Sequence, residues 1–215
     1  MWMYRGWIES EQLPRLLYIY KSYLQKQIYR LIPIYCKNKD NVKQIIDEYI
    51  RQGNYVVMSM YSSRDISRRM IDTIMFDVDG RDINDSYDKL MKLMDYFNDL
   101  GLIVSRVYAS VKGFHVYVDF DRKVQLKTSI PGYYKQINSK LVQEIGKVID
   151  DRYIGLSDIP YGYKNPKYRG ERSRKYYRVN HLAKDLDTML LAEKLPKHRR
   201  VSAEAWVEVF GVGGR

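Results

Sequence analysis

A single cysteine, Cys36, among 215 residues excludes a disulfide framework within the chain and any cysteine-rich zinc site, so no zinc is expected. No apolar run is long enough to cross a bilayer. The start Met1-Trp2-Met3-Tyr4-Arg5-Gly6-Trp7 lacks the basic segment and apolar stretch of a signal peptide, so a cytoplasmic protein with no membrane partner is expected. Alanine is scarce, and neither an internal repeat nor a low-complexity linker interrupts the chain, which argues against a hinge between independent domains. Acids are in the minority: 26 Asp and Glu face 37 Lys and Arg, a net charge of +11 that favours a polyanionic partner through steering and counterion release. What is present in quantity is apolar and aromatic. A hydrophobic content of 45% rules out a disordered chain, and 21 tyrosines interleaved with basic residues offer stacking surfaces for unpaired nucleotides.

Periodicity sets the expected organisation. Leu17, Tyr20, Leu24, Ile28 and Leu31 recur at helical spacing up to Pro33, predicting an amphipathic helix over 16–31. A second helix is predicted from Asn41, capped by Asp40 and ended by Gly53. Strands are predicted over 55–60, 73–78, 103–109 and 114–120, the last two joined as a hairpin, with a helix from about Asp85 to Gly101 between the second and third. Another helix follows Pro131, carrying Tyr134, Ile137, Leu141, Ile145, Val148 and Ile149. Residues 161–178 read as a basic loop entering a short strand near 176–179, and 183–194 as a last helix. The fold class expected is α+β, with a ferredoxin-like or RNA-recognition-type antiparallel or mixed sheet and helices on one face. Residues 1–54 are expected to form an N-terminal helical flank, 55–200 the core, and 201–215 a tail that adds one strand or frays.

The chemistry concentrates in two stretches. Thr73-Ile74-Met75-Phe76 is an apolar strand delivering Asp77 and Asp79, two residues apart and so on one face. Converging carboxylates repel unless a cation neutralises them, and hard oxygen donors select Mg2+ or Mn2+. A pair of such ions holds a triphosphate and activates an attacking hydroxyl. The second stretch, Ser110-Val111-Lys112-Gly113-Phe114-His115, places a hydroxyl, an ammonium and an imidazole beside that inferred metal site, donors suited to a triphosphate. Gly113 would let backbone approach phosphate, or serve as a turn glycine.

Asp77-Val78-Asp79 followed by Ser110 through His115 resembles the catalytic core of the archaeo-eukaryotic primase superfamily, which includes primase small subunits, primase-polymerases of archaeal viruses and plasmids, and polymerase domains of end-joining ligases. The resemblance covers roughly residues 55–180. It implies a two-metal site of Asp77, Asp79 and a third acid, Asp150 or, preferred, Asp151; Ser110, Lys112, Gly113 and His115 around the incoming NTP or dNTP, with Lys164, Arg169 and Arg174 on its phosphates; and a 3′-hydroxyl attacking the α-phosphorus. Single-stranded DNA template would lie on Arg64, Arg68, Arg69, Arg172 and Lys175, and a large primase subunit or helicase is an expected partner.

Two competing readings share these residues. Phe76-Asp77-Val78-Asp79-Gly80 is also similar to the opening motif of haloacid-dehalogenase phosphatases, although Arg81 follows where that family continues with Thr or Val. A primase-like chain kept as an inactive nucleic-acid-binding subunit is the other; loss of a carboxylate would mark it, and the acids persist here.

Overall fold

The computed structural model describes residues 17–23, 28–34, 48, 55–62, 68–109, 113–150, 156–158, 177–178 and 200–213. Among them run eight strands: β1 Leu17–Tyr23, β2 Ile28–Ile34, β3 Tyr55–Ser59, β4 Met70–Asp79, β5 Arg106–Ala109, β6 Gly113–Gln125, β7 Leu156–Asp158 and β8 Tyr177–Arg178. Three helices join them: α1 Ile83–Asp99, α2 Ile130–Ile145 and α3 Ala203–Phe210. The strands form two antiparallel sheets, ordered β2-β1-β3-β7 and β4-β6-β5-β8.

The second sheet holds the core. β4, α1 and β5 form a β-α-β unit whose two strands are split by β6, the arrangement of ferredoxin-like folds. On β4, Phe76 faces the helices: its ring lies 5.6 Å from Phe97 of α1, 5.7 Å from Tyr134 of α2 and 6.2 Å from Trp206 of α3. Alternation sends Ile74 and Val78 to the same face and leaves Thr73, Met75, Asp77 and Asp79 on the other. α1 starts where the Asp82 carboxylate accepts the Asp85 N–H at 2.9 Å, and it buries Leu90, Leu93, Met94 and Phe97, a stripe at helical spacing. α2 is capped by Ser129 with Pro131 in its first turn, and it ends at Gly146, whose φ of +81° only glycine adopts readily.

A polar strut inside this core is open to test. The Trp206 indole N–H donates to Tyr133 Oη at 2.8 Å, and that hydroxyl donates to the Gly211 carbonyl at 2.8 Å. Burial, only partly opposed by the indole hydrogen bond, pushes the Tyr133 phenol far above the usual tyrosine range, so it stays a neutral donor. Tyr133→Phe leaves a buried N–H and a carbonyl without their shared partner. The expected cost is about 1–3 kcal/mol, read as a lower urea midpoint with an unchanged slope.

Several expectations are corrected. In place of the amphipathic helix expected over 16–31, the described residues 17–23 and 28–34 are strands: β1 and β2 pair antiparallel, Leu17 opposite Ile34 and Tyr23 opposite Ile28. The helical spacing counted five apolar positions and passed over Tyr18, Ile19, Tyr23, Tyr29 and Ile32, an aromatic and β-branched content that suits a strand. Pro33, taken as a helix stop, lies within β2, an edge strand, where a missing N–H is tolerated. The tail is neither a strand nor frayed over 203–210. Ser202 caps α3 there, and Trp206 and Phe210, one helical turn apart, are buried. Val148 and Ile149 are buried beyond the end of α2 rather than on it. β4 to β6 otherwise follow the expected order, with β6 running to Gln125 instead of 120. The helix expected from Asn41 (Glu48 excepted, which is helical) and the helix over 183–194 lie outside the described residues.

Candidate active site

The acids sit at the C-terminal end of β4, and its ladder with β6 decides what meets them. Asp77 is the register partner of His115, and Asp79 of Gly113. The Asp77 N–H donates to Tyr134 Oη at 3.4 Å, and the Asp77 carbonyl accepts the Asp150 N–H at 2.8 Å. Both backbone groups thus turn away from β6. Asp77 and His115 therefore form the non-hydrogen-bonded kind of antiparallel pair, in which facing side chains come closest. His115 Nε2 lies 3.6 Å from Asp77 Oδ1, the imidazole nearly buried and the carboxylate 34% exposed. Asp79, one residue beyond Val78, is exposed at the rim.

Gly113 has a sharper role than a turn. A Cβ at this position would lie 2.3 Å from Asp79 Oδ1 and 2.3 Å from the Val78 carbonyl oxygen, so the glycine makes room for the carboxylate across the ladder. Gly113→Ala must push Asp79 aside or part the strands. The expected result is about a hundredfold loss of any activity that depends on Asp79, with the core still folded, measured by single-turnover assay alongside circular dichroism.

α1 steadies the rim. Lys89 Nζ donates to the Asp79 carbonyl at 3.0 Å and lies 3.2 Å from Asp85 Oδ2. The Arg81 backbone N–H, followed by the Lys89 ammonium, holds the Asp85 carboxyl below its ordinary range, so this brace stays ionised at neutral pH.

Beyond the acids, a row of register partners crosses the sheet from Asp77 through His115 and Tyr108 to Arg178. The next row on that face runs Met75, Tyr117, Arg106. Arg106 pairs with Asp119 and lies 5.0 Å above the Tyr117 ring, while Tyr117 meets Tyr108 edge-on at 5.5 Å. Burial works against the guanidinium charge, but the Asp119 carboxylate together with Tyr108 and Tyr117 raises the Arg106 pKa. The sequence marks none of Tyr108, Arg106, Asp119 and Tyr134 as a site residue; Tyr134 reads there only as part of a helix's apolar face. Counting the hairpin back from Gly113 would have set Tyr108 opposite His115; nothing local signals the other three.

The remaining sequence candidates divide by place. Asp150 adjoins Asp77 through its backbone; Asp151, the preferred third acid, lies outside the described residues, as do Ser110, Lys112, Arg64, Lys164, Arg169, Arg172, Arg174 and Lys175. Arg68 and Arg69 are described and exposed just before β4, at the end of the strand away from Asp77. At strand rise that separation is roughly 25 Å. Among the described residues no group of three His, Cys, Asp or Glu is poised on a metal ion. Asp79, exposed with Gly113 opposite, and Asp77, partly exposed beside His115, carry the hard oxygen donors that could hold a divalent cation.

The sequence matches no model of a known family, and a search of curated proteins likewise finds no match. Among solved structures the chain is similar to the polymerase domain of ligase D from Mycobacterium tuberculosis in complex with DNA, at 15% identity and a TM-score of 0.45, over 94% of this chain and 74% of that one. No described helix is long and apolar enough to cross a membrane.

Proposed function

We propose that this chain is a template-dependent nucleotidyl transferase of the primase-polymerase kind, adding units from NTPs or dNTPs along single-stranded DNA. The observation that carries the reading is the meeting of Asp77 and Asp79 with His115 and Gly113 across one ladder, which joins two sequence motifs more than thirty residues apart into one rim. In this reading Asp77, Asp79 and Asp151, the residue after Asp150 in sequence, would hold Mg2+ or Mn2+. Bound there, a divalent ion would supply neutralisation of the triphosphate and a lower cost of deprotonating the attacking 3′-hydroxyl. His115, oriented by Asp77, binds the triphosphate together with Ser110 and Lys112, while Lys164, Arg169 and Arg174 grip its outer phosphates. Arg64, Arg68, Arg69, Arg172 and Lys175 line the template path. A large primase subunit or helicase completes the assembly in the cell.

The test is incorporation of labelled ribo- and deoxynucleotides on single-stranded DNA, with and without an annealed primer, in Mg2+ or Mn2+. Product that EDTA abolishes is expected; synthesis without primer would make it a primase. Tight DNA binding with no product under any condition would instead favour the inactive accessory subunit. Release of phosphate from a phosphate monoester in place of incorporation would favour the phosphatase.

A further inference from the structure

The other end of the β4–β6 ladder carries five cations, Arg68, Arg69, Arg122, Lys123 and Lys127. Arg69 has a φ of +49°, a left-handed conformation that residues with a Cβ rarely adopt. In that conformation its carbonyl accepts the Leu126 N–H at 2.9 Å, and its Nη1 donates to the Lys127 carbonyl at 2.7 Å. Lys123, two residues before Gln125 at the end of β6, donates from Nζ to the Ser62 carbonyl at 3.1 Å, and Ser62 is itself tied to Met70 by a 2.7 Å backbone bond. Arg68, Arg69 and Lys127 are exposed and Lys123 is half-buried. Arg122 pairs with the Glu204 carboxylate.

Scattered surface lysines are ordinarily no more than a solvated face. Here the partners of Arg69 and Lys123 are neutral carbonyls, which orient a cation without cancelling its charge, and the Arg69 backbone leaves its usual region to make the arrangement. Two cations held this way, with the exposed Lys127 adjoining Arg69, suit a row of phosphates. We infer that this corner is a second contact for a nucleic-acid backbone, taking the strand or duplex that extends away from Asp77 and Asp79. The inference rests on the transferase reading for its direction. The roughly 25 Å between the two ends of β4 corresponds to about seven stacked nucleotides at 3.4 Å each.

The test compares binding of a short duplex of about five base pairs and a long one of about fifteen, by fluorescence anisotropy across a salt series, for wild type, the Lys123→Ala/Lys127→Ala double variant and Arg69→Gly. The long duplex is expected to bind the double variant on the order of tenfold more weakly at 0.1 M salt, with a salt slope shallower by about 1.8, while the short duplex binds both proteins alike. Arg69→Gly removes the guanidinium yet suits the left-handed backbone, so its loss of long-duplex affinity cannot be ascribed to misfolding. Equal affinity and slope on the long duplex for wild type and variants would overturn the inference. The binding measurement needs no turnover. Length-dependent weakening in a protein that incorporates no nucleotide would therefore leave the contact standing and the transferase reading fallen; incorporation with variants that bind like wild type would do the reverse.

Discussion

Asp77→Asn is expected to lower nucleotide incorporation by about a hundredfold to ten-thousandfold while leaving fold and DNA binding in place. A metal-bound carboxylate supports several kcal/mol of charge stabilisation in the transition state, and each 1.4 kcal/mol is a factor of ten in rate. The substitution keeps the shape of the side chain and removes only its charge. At 34% exposure the amide can be solvated, and the backbone contacts of residue 77 with Tyr134 and Asp150 do not involve the altered atoms. A loss of rate therefore reports on the charge of the rim and not on packing. Two measurements separate the causes: a Mn2+ titration, in which excess ion should restore part of the rate, and DNA anisotropy, which should not change. Incorporation at the wild-type rate would remove Asp77 from the metal site and with it the proposed chemistry.

Trp206→Ala carries the largest expected effect on stability. The indole is fully buried and lies 4.5 Å from the Phe210 ring, 5.4 Å from Phe120, 5.8 Å from Phe97 and 6.2 Å from Phe76. Its truncation opens a cavity among four aromatic rings and leaves Tyr133 without its indole donor. Large aromatic to alanine changes in cores cost about 3–5 kcal/mol, against a total of roughly 5–15 kcal/mol for a domain. The expected readout is a large drop in the guanidinium midpoint. Trp206→Phe, which keeps most of the ring but not the N–H, should fall between the two. Activity should follow the same order, because Phe76 packs on Trp206 one residue before Asp77. A midpoint equal to wild type would show that α3 is not part of the cooperative core.

Two stretches of the chain differ in how much of this is legible in the sequence. In 70–145 the local signals agree: Asp82 and Ser129 cap helices whose apolar residues repeat at helical spacing, and β4 and β6 are rich in apolar residues, with Gly80 just after the one and Gly113 opening the other. Their order and the hairpin follow from that agreement. In 16–34 the signals conflict, since tyrosine, isoleucine and leucine fill most positions and satisfy a helical stripe and a strand equally. Pairing with β3, distant in sequence, settled it for the strands. α3 shows the same conflict in reverse: Val201, Val207 and Val209 favour a strand, and the burial of Trp206 and Phe210 against β4, β6 and α1 favours the helix.

The identity of the acids and of the Gly-x-His stretch was readable because spacing along a strand dictates which side chains share a face, a property of a few consecutive residues. Which motif residues stand opposite one another depended on ladder register, and register depends on partners tens of residues away. Asp77 against His115, Gly113 yielding space to Asp79, the backbone of Asp150 reaching the Asp77 carbonyl, and Arg69 turned toward the end of β6 are all contacts of that second kind. Local pattern limits what each segment can be; the closing of long loops by burial and hydrogen bonding selects which segments meet, and the site exists only where they do.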